Sequence, residues 1–383
     1  MAAENPFVYG EIVPASSFVG RNAELDRLTA DLASSQKVFL ISPRRYGKSS
    51  LIRQACVALG KRKVATLEFT VSSFSSYVSF LEGYARALLS LETRTAQARS
   101  WLSTLFPSVT PEFRIETDHS GSGLTVAFPA IRTPRDAARL ADDVFALPAR
   151  LATRLNRRIV VALDEFQAIE AFDGGNVEQA LRAAVQQQRH VGYVFAGSEP
   201  SLMEQMIGPK RPFFKAGPVM RLRKIPPEIF AGFLDARFRR TGLTPAAGLG
   251  AAIVDLAGNL PYDVQRLAHE TWDDAIAAKR KRVDLEDLHA TLLRLLTEQD
   301  TMFEAVWQRQ TLAQRATLRA VVLERGAELL GAETRDRHRL GGASTVQASL
   351  SALLREDLIA REDTGRYTVV DSLMREWVAR KTY

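Results

Sequence analysis

The chain has 383 residues, 46% of them hydrophobic and 25% charged, with a formal net charge of +7 and one cysteine, Cys56. This is the profile of a folded, water-soluble protein of two or three domains, and it excludes a disulfide-stapled module and cysteine-based zinc clusters. No apolar run approaches the ~18–20 residues of a membrane span, and the opening MAAENPFVYGEIVP has neither the basic start nor the apolar centre of a signal peptide. A cytoplasmic protein with no membrane partner is therefore expected.

In chain order, residues 24–34 predict an amphipathic helix with Leu25, Leu28 and Leu32 on one face. Residues 38–41 predict a buried strand, 48–59 a helix, 63–70 a second strand and 77–91 a long helix. Strand, glycine loop, helix and strand in succession open a parallel α/β sheet. The stretch 92–133 reads as an insertion, with alternating segments around DHSGSG predicting a β-hairpin at about 110–132. Helix returns over 134–156. RRIVVALDEFQAI (157–169) is a buried strand ending in two carboxylates, and GYVFAGSEP (192–200) is another, ending in small and polar residues. The expected fold class is α/β, a doubly wound parallel sheet with helices on both faces, spanning 1–224.

From about 226 the strand signals stop. Helices at 226–241, 247–257, 261–278 and 284–308 form a helical lid domain, 225–308, with DLAGNLPYDVQ (255–265) as its helix–turn–helix joint. Residues 309–383 read as a winged helix-turn-helix domain. They comprise a helix at 313–325, a short helix at 331–340, a helix at 344–356 started by a capping serine, two short strands around a turn at 358–370, and a last helix capped by Asp371. Charge is unevenly placed. Lys210 to Arg240 holds nine basic residues against two acidic ones and KRKR at 279–282 adds a second cluster, whereas Leu296 to the end balances thirteen against thirteen. A basic surplus attracts nucleic acid or phosphate, although a solvated basic helix face has the same composition.

Chemistry concentrates in KVFLISPRRYGKSSLIRQ (37–54). Backbone N–H groups at a helix N-terminus, gathered into one concavity, bind phosphate. In that arrangement Gly47 lets the loop close, Lys48 reaches the β- and γ-phosphates, Ser49 binds magnesium and Ser50 lies beside the α-phosphate. Arg45 and Tyr46 complete the loop. Ser42 stands where such loops usually begin with glycine, and Pro43 biases it toward extended backbone. Asp164 and Glu165 end a strongly apolar strand, where an aspartate can hold magnesium and a glutamate can orient and deprotonate water. Together they point to ATP or ADP with Mg as cofactors, and to hydrolysis. Ser198 reads either as a contact to the γ-phosphate or attacking water, or as a helix cap. Arg211, with Lys215 and Arg221 nearby, is a candidate arginine finger toward a neighbouring subunit of a homo-oligomer, a structural role being the plainer alternative. The histidines, at 119, 190, 269, 289 and 338, show no metal-ligand spacing.

FVGRNAEL (18–25), SPRRYGKSSL (42–51), LDEFQ (163–167), FAGSEPSLM (195–203), GNLPYDVQ (258–265) and YTVVDSLMREWV (367–378) occur in the order seen in archaeal-type ATPases. The chain thus resembles the STAND/AAA-like P-loop ATPases with a C-terminal winged helix, over nearly its whole length except the insertion. The resemblance implies that Val19, Gly20 and Arg21 lie near adenine with NPFVYGEIVP packing across it. It also implies that Asp164 and Glu165 are the Walker B pair, that Ser198 is at the sensor-1 position, and that Pro261 contacts the nucleotide. Two departures are Ser42 and the missing G-D-x-R sensor-2 pattern in GNLPYDVQR, where Arg266 is the available substitute. Three functions follow as expectations. The first is a slow Mg-dependent ATPase acting as a nucleotide-driven conformational switch between sheet and lid. The second is a DNA-binding ATPase whose helix 344–356 offers Ser344, Thr345, Gln347 and Ser349 to the major groove of duplex DNA, flanked by Arg361 and Arg366. The third is a scaffold that holds ADP or ATP without hydrolysis, with a protein partner.

Overall fold

The computed structural model describes residues 4–91, 105–107, 112–118, 121–128, 133–172, 177–362 and 364–381. The chain forms two compact units, one of Pro14–Arg223 and one of Met1–Val13 with Lys224–Tyr383.

In the first unit, helix α1 (Asn22–Ala33) leads to strand β1 (Lys37–Ile41), helix α2 (Lys48–Lys61), strand β2 (Ala65–Thr70) and helix α3 (Tyr77–Leu89). The inserted hairpin forms as β3 (Glu112–Asp118) and β4 (Gly121–Ala127), antiparallel from Glu112↔Ala127 to Asp118↔Gly121. Its turn at 119–120 and residues 92–104 of the insertion lie outside the described residues. Helix α4 (Pro134–Leu155), strand β5 (Ile159–Asp164), helix α5 (Val177–Gln187), strand β6 (Val191–Gly197), helix α6 (Pro200–Met206) and strand β7 (Val219–Arg221) complete it.

Five strands make one sheet in the order β2-β5-β6-β1-β7, with every neighbouring pair parallel. Side chains alternate across it, as the two-residue strand period requires. Phe39, Ile41, Val161, Leu163, Tyr193 and Phe195 face a core built with α3, α4 and α5. Val38, Leu40, Val160, Ala162, Val194 and Ala196 face a second core with α1 and α2. Helices cover both faces, as the sequence predicts. Truncating one of these buried leucines to alanine costs roughly 2–5 kcal/mol. The single thiol, Cys56, is buried in the second of these cores. Because β6 lies between β1 and β5, the C-terminal ends of all three strands meet, and ligands bind at that end of such sheets. The backbone N–H of Ser42 donates to Gly197 O at 3.2 Å, which fixes the β1 exit against β6. A Cβ at Gly197 would come within 2.6 Å of Gln167 Oε1 and 2.4 Å of Met203, so a larger residue where β6 ends would displace those two side chains.

The second unit contains α7 (Pro227–Arg240), β8 (Thr244–Pro245), α8 (Leu249–Leu256), α9 (Pro261–Ala277), β9 (Arg282–Val283) and α10 (Leu285–Arg309), then α11 (Leu312–Leu323), α12 (Ala332–Arg337), α13 (Ala343–Arg355), the hairpin β10 (Ile359–Arg361) and β11 (Tyr367–Val369), and α14 (Ser372–Arg380). Lid and winged helix, expected as separate segments at 225–308 and 309–383, share this unit. Trp377 Nε1 donates to Asp300 Oδ1 at 2.7 Å, and Arg375 donates to the carbonyls of Asp255 and Leu256 at the end of α8 at 3.1 and 3.0 Å. Asp371 caps α14 as expected, accepting from the N–H groups of Leu373 and Met374. The expected serine cap of α13 does not form. Gly342 holds the cap position without a side-chain bond, because the helix begins at Ala343, before Ser344. The N-terminal segment packs on the lid: Asn5 Nδ2 donates to His269 O at 3.1 Å, Tyr9 to Glu270 at 2.9 Å, and the Phe7 ring meets Phe238 at 4.8 Å.

Candidate functional site

The β1–α2 loop ends at Gly47, whose φ of 87° and ψ of 21° place it in the left-handed region. Any other residue there pays a steric cost. This turn starts α2 at Lys48, and a helix N-terminus presents backbone N–H groups at the end of the loop. Arg45 adds a second positive φ, 68°. Ser42 is fully buried and donates its hydroxyl to Pro43 O at 3.0 Å. A serine in the first loop position is therefore accommodated by turning its side chain back onto the loop's own backbone.

The predicted carboxylates converge on this loop. Lys48, 6% exposed, is hydrogen-bonded to Asp164 Oδ1 and lies 2.9 Å from Glu165 Oε1. Ser49 Oγ donates to Asp164 Oδ2 at 2.9 Å. Ser198, at the tip of β6, donates to Glu165 Oε2 at 2.6 Å, and Gln167 Nε2 donates to the same oxygen at 2.7 Å. Burial works to raise the Glu165 carboxyl, but the Ser198 bond, the Lys48 charge and the Gln167 bond outweigh it and hold it below the ordinary carboxylate range. Glu165 itself sits at φ 51°, a left-handed backbone that a non-glycine residue occupies at a cost. Lys48, Ser49, Asp164, Glu165 and Ser198, which lie far apart in the sequence, are thus brought into one network. Sequence reasoning assigns Gln167 no role; its position two residues after Glu165, on the turn that leaves β5, is the signal that points to it.

The donor set suits magnesium. Ser49 and Asp164 present a hydroxyl and a carboxylate oxygen, both hard donors, at adjacent element ends. Among the described residues no group of three or more His, Cys, Asp or Glu side chains is placed to hold a metal. Magnesium is ordinarily shared between one or two protein oxygens, water and substrate phosphates.

Other predicted residues are placed differently. Arg21 is buried; its guanidinium lies 2.9 Å from Glu24 and donates to the carbonyls of Tyr46 and Arg223, so it staples the phosphate loop to the end of the sheet unit. Its neighbours Val19 and Gly20 precede α1, and Gly20 has φ 66°. Arg211 is engaged within its own unit by Glu170 and, at 2.8 Å, by Glu178. Arg221 pairs with Glu204 at 3.0 Å. Pro261 opens α9 in the second unit. In the winged helix, Ser344, Thr345 and Gln347 are exposed on α13, and Arg361 and Arg366 are exposed on the wing. Ser349 does not join them: it is 5% exposed, on the same stripe as Val346, Leu350 and Leu353, because it follows Val346 by three residues.

A family model described as a probable winged helix domain matches residues 301–380. A comparison with curated proteins returns no match. Among solved structures, the Walker-type ATPase of Pyrococcus abyssi is similar over 96% of this chain and 99% of its own, at 16% identity and a TM-score of 0.61. The fold is that of an AAA-like P-loop ATPase with a winged helix. The Aeropyrum pernix ORC1 protein, solved in complex with DNA, aligns with 96% of this chain and 94% of its own at 14% identity, with a TM-score of 0.52. The expected likeness to archaeal ATPases is met at the level of fold. No helix among the described residues is long and apolar enough to cross a membrane.

Proposed function

We propose that this chain binds ATP with magnesium and hydrolyses it slowly, using the nucleotide as a conformational switch. The observation that carries this reading is the single network of Lys48, Ser49, Asp164, Glu165 and Ser198 at the phosphate loop. Loop N–H groups around Arg45–Ser50 cradle the phosphates. Lys48 exchanges its carboxylate partners for β- and γ-phosphate oxygens. Ser49 and Asp164 would hold the magnesium, whose chemistry there would be to neutralise negative charge on the phosphates. Glu165, ionised at neutral pH, has Oε2 fixed by Ser198 and Gln167; Oε1, freed from Lys48, orients a water and takes its proton.

A switch needs differential affinity for two states and a route between them. Three consecutive residues supply the route. Arg223 O is held by Arg21, which also holds Tyr46 O of the phosphate loop. Lys224 Nζ pairs with Glu362 beside the wing at 2.8 Å. Ile225 O accepts from Asn259, in the lid turn, at 2.8 Å. Movement of the phosphate loop is thereby passed along the backbone to groups that the lid turn and wing hold.

The test is ATP binding and turnover by wild type, Lys48→Ala and Glu165→Gln. The expected result is loss of binding in the first and retained binding with a 10²–10⁴-fold slower turnover, roughly, in the second. Normal turnover by both would sink the reading, and co-purified ADP without any turnover would favour the non-hydrolysing scaffold. A second reading, duplex DNA bound through the winged helix, is favoured by the exposure of Ser344, Thr345 and Gln347 beside Arg361 and Arg366. A low-salt gel shift without a complex would count against it.

A further inference from the structure

The two basic clusters of the lid are absorbed by neither reading, and the fold joins them. Arg237, Arg239 and Arg240 end α7. The loop Lys279–Arg282 follows α9. Strands β8 and β9 pair in parallel, with Thr244 opposite Arg282 and Pro245 opposite Val283, and Thr244 N–H donates to Lys281 O at 2.9 Å. This ribbon sets the end of α7 beside the loop. The scaffold is firm: Trp272 Nε1 donates to Thr241 Oγ1 at 2.8 Å, and Thr241 Oγ1 donates to Phe238 O at 2.9 Å.

These cations are poorly matched by acids. Arg239, Arg240, Lys279, Lys281 and Arg282 are exposed, and their side chains make no hydrogen bond or ion pair among the described residues. Arg280 alone has a carboxylate, Asp287 at 3.0 Å. Asp284 is spent on capping α10, accepting from the N–H groups of Glu286 and Asp287. Glu286 is the remaining carboxylate of that turn. Burial and the neighbouring Arg240 charge push the Arg237 guanidinium below its ordinary value, as crowding of like charges requires. The Arg237 guanidinium lies over the Phe233 ring at 5.0 Å, and Trp272 is buried, so neither ring is offered for base stacking. An array of cations carried on a firm backbone scaffold, without stacking platforms, suits the regular phosphates of a duplex better than a single strand.

We propose that this basic face of the lid binds the phosphate backbone of duplex DNA, without reading its sequence. The winged-helix part, with its balanced charge, contributes orientation rather than most of the affinity.

The test is fluorescence anisotropy of a labelled duplex with the full chain, titrated from about 50 to about 200 mM salt, without nucleotide. In Lys279→Ala/Lys281→Ala/Arg282→Ala, the slope of log affinity against log salt falls by about three and low-salt affinity drops about ten-fold or more. Arg239→Ala/Arg240→Ala, from the other cluster, lowers the slope by about two. All five side chains are exposed and unpaired, so folding is unaffected, which circular dichroism checks. Arg361→Ala/Arg366→Ala, on the wing, loses less than the triple variant. Unchanged slopes in both lid variants would overturn the proposal. So would a wild-type chain that binds no duplex at low salt, a larger loss from the wing variant, or tighter binding to anionic phospholipid vesicles than to duplex. None of these outcomes depends on ATP turnover.

Discussion

In the sheet unit, Lys48, Asp164 and Glu165 are largely shielded from water, and the one cation, at the start of α2, is shared by the two carboxylates at the end of β5. In the lid, Lys279–Arg282 and the end of α7 hold their charges in solvent with few partners. The same residue types therefore do different work. Shielded charge acts through fixed geometry, in which a shift of one bond alters chemistry. Solvent-facing charge acts at a distance and is weakened by salt, with a screening length of about 8 Å at physiological ionic strength. Net charge alone, +7 for the whole chain, does not distinguish the two.

The sharpest way to break this comparison is at Glu165. Glu165→Gln should cost roughly 10²–10⁴ in turnover while leaving duplex affinity unchanged; a parallel loss of DNA binding would show that the two charge systems are one. Next is salt. Between about 50 and 200 mM, duplex affinity should fall by an order of magnitude or more, whereas ATP turnover measured without DNA should change less than about two-fold. Third, Ser198→Ala removes the strongest bond holding Glu165 down. The native carboxyl titrates below its ordinary 4.5, so the stabilisation it contributes is complete above that value and is lost as pH falls through the native pKa. Without Ser198 that native pKa rises. The acid limb of the turnover profile should therefore move to higher pH, and acid unfolding should begin earlier. An unmoved limb would remove Ser198 from the network. The smallest effects are structural. Gly47→Ala, where an added Cβ meets nothing within 4 Å, should cost about 1–2 kcal/mol from backbone strain alone, read by denaturant unfolding. Asp371→Ala should cost about 1 kcal/mol through loss of the α14 cap, in the unit that does not hold the phosphate loop.

Much of the fold was legible because it rests on local pattern. The apolar runs of β1, β5 and β6 announce strands buried on both faces, and Asp371 announces α14. Gly47, Lys48 and Ser49 are recognisable between a buried strand and a helix, and Asp164–Glu165 are recognisable as the end of an apolar run. What was not legible depends on long-range partners. Strand β7 is three residues within a basic stretch, and only its pairing with Phe39–Ile41 makes it a strand. Arg211 carries no local sign of Glu170 or Glu178, nor Arg21 of Arg223. Ser349 is a different failure: its three-residue offset from Val346 already placed it on the apolar stripe, and its polarity drew it to the wrong face.

Cys56 follows from α2 in another sense. Burial is the main force pushing its thiol up to about 12, so in the closed protein it has almost no thiolate to react. It lies two helical turns beyond Lys48, on the same helix, and no other cysteine competes for reagent. The rate at which a thiol probe labels the native chain therefore reports how often the nucleotide helix opens. Slower labelling with ATP would turn that one side chain into a built-in gauge of ligand-induced rigidity, with no dye or engineered tag.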